Sequence, residues 1–185
     1  MGVVRLFMSM SLDGFVADRN GDPAALYPDL DDLRGSEALA EMIEATGAVV
    51  MGRRSYDMGD TDEGYIDYEH QVPIFVLTHQ VPESPAKHDP AKGLTFTFVT
   101  EGAERAVGLA KAAAGTKDVQ VIGGADAAQQ LIRADLLDEI QISFLPLLLG
   151  DGLRLFEHLG SGRRLEKVKV IDAPARTDIR FRLPA

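Results

Sequence analysis

Three short stretches of this chain hold residue types suited to binding phosphate. Residues 119–126 read Val-Gln-Val-Ile-Gly-Gly-Ala-Asp, an apolar run that passes into two glycines and then a helical pattern. Glycines at such a turn let backbone amides approach an anion, and the following helix N-terminus adds partial positive charge. A tight strand-to-helix turn with no ligand uses the same residue types. Residues 49–56, Val-Val-Met-Gly-Arg-Arg-Ser-Tyr, place Gly52, Arg53, Arg54 and Ser55 directly after another apolar run. A guanidinium fork matches phosphate oxygens. Ser55 stands either to cap the next helix or to bond a phosphate oxygen, and a solvated basic pair is the plain alternative for the arginines. In residues 75–80, Phe-Val-Leu-Thr-His-Gln, Thr78 and His79 close a third run. Ligands collect at the C-terminal ends of strands in open α/β sheets. Three such ends with phosphate-friendly groups fit one ligand that carries several phosphates. The full G-x-G-x-x-G fingerprint is absent, so the Rossmann pattern does not carry this reading.

The elements that would position these residues are legible as short apolar runs alternating with helical spacing. Residues 3–10, 48–51, 73–78, 94–99, 119–122 and 139–145 are rich in Val, Ile and Phe and of strand length. Between them, 36–45 puts Leu39, Met42 and Ile43 on one stripe, 103–114 is an alanine-rich helix capped by Gly115, and 125–133 gathers Ala128, Leu131 and Ile132. Strand, helix and strand in rotation imply right-handed crossovers and a mainly parallel sheet. The tail differs: 165–171 and 177–183 alternate on either side of Pro174 and predict an antiparallel pair at the sheet edge. Residues 18–35 and 59–69 read as long loops, and long loops in a compact domain usually line a site.

Composition narrows the function classes. The chain has 185 residues, enough to bury a core as one domain, with a formal net charge of -10. That acidity argues against nucleic acid or an anionic membrane as partner. With no cysteine there is no disulfide, thiolate nucleophile, zinc–thiolate or iron–sulfur site, and no metal site is assigned. The N-terminus lacks a signal-peptide pattern, and no window reaches the length of a membrane span, so a cytoplasmic location is expected.

The order of the motifs carries a resemblance. Ser-Leu-Asp-Gly-Phe-Val-Ala at 11–17, Met-Gly-Arg-Arg-Ser-Tyr at 51–56, Leu-Thr-His at 77–79 and Ile-Gly-Gly at 122–124 follow the sequence of the dihydrofolate-reductase-like fold. Leu-Asp-Glu-Ile at 137–140 and Pro-Leu-Leu-Leu-Gly-Asp-Gly-Leu-Arg-Leu-Phe at 146–156 are more particular. They resemble the C-terminal reductase domain of the bifunctional deaminase–reductase of riboflavin biosynthesis and its single-domain relatives. The resemblance covers nearly the whole chain. It implies one α/β domain over residues 1–185, a three-layer α/β/α arrangement with a mixed, mostly parallel sheet and antiparallel C-terminal strands. It further implies an NADPH-dependent reductase of a small molecule, similar to 5-amino-6-(5-phosphoribosylamino)uracil reductase, and a homodimer paired through an edge strand. Dihydrofolate reduction, reduction of another small heterocycle, and an NADP-binding module without turnover are the alternatives.

By the same resemblance Gly52, Arg53, Arg54 and Ser55 hold the cofactor phosphates, and Thr78 and His79 lie near the adenosine ribose and its 2′-phosphate. Ile122, Gly123, Gly124 and Ala125 approach the pyrophosphate, while Ser9, Val16 and Ala17 sit near the nicotinamide. Dihydrofolate reductases carry an acid on the helix before the Met-Gly-Arg strand. The nearest acids here are Asp29, Asp31, Asp32 and Glu37, of which Asp32 and Glu37 are taken as catalytic candidates. Asp13 is typical of the family and is the third candidate, although a turn former before Gly14 is the favoured reading of it. Tyr27 stands in for the Trp that often follows the first loop. A phosphorylated substrate needs a second basic group, for which Arg19, Arg34, Lys87, Lys92 and Arg154 are available. The zinc deaminase half of the bifunctional enzymes needs cysteine ligands that this chain lacks.

Overall fold

The computed structural model describes residues 2–61 and 63–184. Asp62, within the second long loop, lies outside the described residues. The strands are β1 Val4–Ser11, β2 Phe15–Ala17, β3 Thr46–Gly52, β4 Pro73–Leu77, β5 Thr95–Val99, β6 Asp118–Ile122, β7 Glu139–Leu145, β8 Leu153–Arg154, β9 Glu166–Asp172 and β10 Thr177–Arg182. The helices are α1 Leu30–Arg34, α2 Glu37–Ala45, α3 Arg53–Gly59, α4 Ala103–Ala114 and α5 Ala125–Arg133. Eight strands form one sheet in the order β5-β4-β3-β6-β1-β7-β10-β9. From β5 to β7 every pairing is parallel, and β10 then runs antiparallel to both β7 and β9. The mixed, mostly parallel sheet and the antiparallel tail are therefore as the patterns predict.

Successive residues of a strand face opposite sides of a sheet, and each side has its own core. Ala48 and Val50 of β3 join Leu6, Val121, Val107 and Leu131 beneath α4 and α5. Val49 and Met51 face the other way, among Tyr56 of α3, Tyr65, Ile74 and Leu94. The inner parallel strands β4, β3, β6, β1 and β7 are largely buried on both faces, which is why they read as apolar runs, whereas the edge strand β5 alternates exposed and half-buried residues.

Three details depart from the sequence reading. Phe15–Ala17 pairs with Leu153–Arg154 as a separate antiparallel ribbon. Strands of three and two residues are too short to show a period. The first long loop contains a 3-10 turn at Ala24–Leu26 and the helix α1. Leu26 is wholly buried there, a contribution of about 1.5–3 kcal/mol that pins the segment. Finally, α2 buries none of its residues, so its apolar stripe does not belong to the core.

Candidate active site

The C-terminal ends of the parallel strands open into one cleft of about 1650 Å³. Its floor is built where β3 and β6 end side by side. The amide of Gly52 donates to the carbonyl of Gly123 at 3.1 Å, tying the two strand ends together. Gly123 has φ 61°, and a Cβ there would stand 2.4 Å from the Ser55 hydroxyl. Only glycine fits that approach. A cis peptide joins Gly123 to Gly124.

Besides the short α3, whose cap is Gly52, two longer helices begin at the cleft without a side-chain cap. Gly124 caps α5 and Gly102 caps α4, neither with a side-chain hydrogen bond. By contrast α2, whose start lies outside the cleft, has the Ser36 hydroxyl accepting from the Leu39 amide at 3.2 Å. Helix N-termini left open in this way present amide donors and a positive partial charge to an anion.

The basic pair divides its work. Arg53 donates from Nε to Asp57 at 2.6 Å and from a terminal nitrogen to the Gln80 carbonyl at 2.8 Å, bracing α3 against the segment after β4. Arg54 is exposed beside the cleft and has no carboxylate partner among the described residues. Ser55 does not cap a helix. Because α3 begins at Arg53 directly after β3, Gly52 takes the cap position and Ser55 falls in the first turn, its hydroxyl facing the diglycine. Thr78 and His79 line the cleft at the end of β4, with the Thr78 hydroxyl donating to the Gln80 carbonyl at 2.7 Å. Ile122 and Ala125 flank the diglycine on the same wall, and Ser9, Val16 and Ala17 line the cleft from β1 and β2. All thirteen residues expected at a cofactor thus meet around one space.

The three carboxylates considered for catalysis are placed elsewhere. Asp13 lies outside the cleft lining and accepts from the Ser11 hydroxyl at 2.6 Å and from the amides of Leu149 and Gly150 at 3.1 and 2.7 Å. Those donors, that of Ser11 foremost, hold its pKa at about 2. Asp32 and Glu37 are exposed and outside the lining. Asp29 is bound through both oxygens by the buried guanidinium of Arg176, which keeps its carboxyl below the usual range.

Arg176 was not foreseen. It also donates to the Ser9 hydroxyl at 3.3 Å and the Leu26 carbonyl at 3.5 Å. The register explains the meeting: Ser9 pairs with Ser143, and Ser143 with Asp178, two residues past Arg176. No local pattern joins residues 147 positions apart. His70 was missed as well; it is 3% exposed and lines the cleft, its Nδ1 without a partner among the described residues. A lone histidine at a loop's end offers no periodicity from which to infer this.

A family model described as the RibD C-terminal domain matches residues 3–177. The chain belongs to the RibD C-terminal domain family. The fold of this RibD C-terminal domain is similar to that of a putative riboflavin biosynthesis protein from Shewanella sp. PV-4, with TM-score 0.79, 24% identity and 99% of each chain covered. It is also similar to dihydrofolate reductase from Enterococcus faecalis complexed with NADP(H), at TM-score 0.65 and 18% identity, covering 100% of this chain and 98% of that one. Among curated proteins, the uncharacterized protein YwjB of Bacillus subtilis is 25% identical over 160 residues, 86% of either chain.

Proposed function

We propose that this RibD C-terminal domain is an NADPH-dependent reductase of a small molecule, resembling 5-amino-6-(5-phosphoribosylamino)uracil reductase. The observation that carries the reading is the convergence at one cleft of the Gly52–Gly123 floor, the starts of α3, α4 and α5 without side-chain caps, and an Arg54 with no carboxylate partner among the described residues. That cradle fits a dinucleotide polyphosphate: a side chain at Gly123 would fill it, and the helix starts offer amides to successive phosphates.

NADPH would be held by Gly52, Arg53, Arg54 and Ser55 at its phosphates, by Gly123, Gly124 and Ala125 at the pyrophosphate, and by Thr78 and His79 at the 2′-phosphate. When bound it supplies the hydride, and the protein positions and polarises. Ser9, Val16 and Ala17 would seat the nicotinamide, with the Ser9 hydroxyl fixed in place by Arg176. Dihydrofolate reduction through an acid before β3 is not favoured, since Asp29 is committed to Arg176 and both Asp32 and Glu37 face solvent. We also infer that the chain acts as one domain, and that two copies pair through β9, whose outer edge meets no strand among the described residues.

The test is titration of NADPH and NADH into the purified protein, followed by fluorescence. NADPH is expected to bind the more tightly, and Arg54→Ala to weaken it by about tenfold, the loss of one charge-assisted contact. Failure of both nucleotides to bind overturns the reading.

A further inference from the structure

Reduction by a nicotinamide needs a proton as well as a hydride. The carboxylates considered for that task, Asp13, Asp32 and Glu37, lie outside the cleft lining. A different row of polar groups leads to the cleft. Ser9 of β1 pairs in register with Ser143 of β7, and Ser143 with Asp178 of β10. Partners in register leave the same face of a sheet, on strands about 4.8 Å apart. At Ser9 that face is the side of the cleft. Phe7, two residues earlier on the strand, lines it together with Ser9, and so does Tyr27, whose ring centroid lies 5.9 Å from the Arg176 guanidinium that binds Ser9.

The hydrogen bonding along this row is unfinished. Ser9 accepts from Arg176 at 3.3 Å, which leaves its own hydroxyl proton uncommitted among the described residues. Ser143 is wholly buried, and its Oγ has no partner among the described residues. The same holds for the buried Oδ1 of Asp178. Buried polar atoms are costly unless hydrogen-bonded, and a bridging buried water is the usual remedy where they cluster. Asp178 as a residue is half-buried, so the outer end of the row touches solvent, whereas Ser9 and Ser143 are 2% and 0% exposed. The flanking cations are committed elsewhere. Arg176, two residues before Asp178, is bound to Asp29; Arg180, two residues after it, donates to Gln141 at 2.9 Å and lies 3.9 Å from Glu139. On the other strand beside Asp178, its partner in register is Ile171 of β9.

We propose that Ser9, Ser143 and Asp178, joined by ordered water, form a relay that carries a proton from solvent to the substrate. The proposal rests on the reductase reading above and adds its proton supply. Ser9 meets the substrate; Ser143 and Asp178 act through it. At a C=N or C=O group that takes a hydride from the nicotinamide, the Ser9 O–H bond breaks as an N–H or O–H bond forms on the substrate. Ser9 is reprotonated through Ser143, Ser143 through Asp178, and Asp178 from solvent. Each turnover consumes one solvent proton and leaves the row as it began. A cleft filled by its ligands expels bulk water, which gives an internal path its use.

Two measurements test the relay. A crystal structure of the full chain that resolves ordered water is expected to show unbroken hydrogen bonds from Asp178 through Ser143 to Ser9, direct or through water. A break between any two of them overturns the relay, whatever the activity. In solution NADPH binding is measured first, by fluorescence, and then NADPH oxidation with 5-amino-6-(5-phosphoribosylamino)uracil in H2O and D2O. Ser143→Ala is expected to lower kcat at least about tenfold and to raise its solvent isotope effect, with KM and NADPH affinity unchanged. Ser143→Thr, which restores the hydroxyl, is expected to recover the rate. A Ser143→Ala variant with the natural kcat and isotope effect overturns the relay. No NADPH binding in the first step overturns the reductase reading instead. Binding without oxidation of the probe removes the resemblance in substrate, and the crystal structure alone then decides the relay.

Discussion

Asp13 shows how one residue type can serve chemistry or architecture, and how the partners decide. Its carboxylate gathers the Ser11 hydroxyl and the amides of Leu149 and Gly150, joining the turn after β1 to the loop before β8. Those donors favour the charged form, so the folded pKa sits at about 2, below an unfolded value of about 3.9. A depressed pKa contributes stability that is complete above the unfolded value and is lost as pH falls through the folded one. Asp13→Asn is therefore expected to reduce stability at neutral pH and to flatten its dependence between about pH 4 and pH 2. Chemical denaturation across that range reads the effect. A variant with the natural acid dependence would show that Asp13 does not hold the loop. The arginines teach the same lesson, since Arg53 and Arg54 are adjacent in sequence and, among the described residues, only Arg54 of the two is without a carboxylate partner.

At the scale of elements, the first long loop is held by a single side chain from the far end of the chain. Arg176, just before β10, binds Asp29, the Leu26 carbonyl and the Ser9 hydroxyl, with its side chain 3% exposed. Removing one member of a buried pair leaves the other charged and uncompensated, at a cost of about 3–5 kcal/mol. Arg176→Ala is expected to lose stability on that scale by urea unfolding, and also to weaken NADPH binding because Ser9 loses its donor. A loss below about 1 kcal/mol would place the pair among weak surface bridges instead. The strands and α4, α5 were legible in the sequence because burial on both faces of a parallel sheet leaves long apolar runs and regular helical spacing. The ribbon of β2 and β8 was not, because a pairing of so few residues depends on where distant segments dock.

For the whole molecule, the sheet ends at β9 with Val168 and Val170 at 40% and 50% exposure. An edge strand with free hydrogen-bonding groups and apolar side chains is a ready template for a second copy. Light scattering is expected to give twice the 20.0 kDa chain mass, and a paired Val168→Lys, Val170→Lys variant to return the single mass. A monomer for the natural sequence would remove the dimer. None of the described helices is long and apolar enough to cross a membrane.

The sequence by itself determined what local chemistry and periodicity encode: the parallel α/β class, the antiparallel tail, and the glycine and arginine groups at three strand ends. Each of these rests on neighbours within a few residues, where side-chain type constrains the backbone directly. What only the tertiary structure decided were the long-range unions: Arg176 with Asp29, Asp13 with the loop at Leu149, and the stripe of α2 in the same cleft lining as His70. Those contacts join residues more than a hundred positions apart, or set an apolar face toward a cleft instead of a core. Their energies arise only after the sheet has closed, when burial removes water and makes each unpaired charge or polar atom costly.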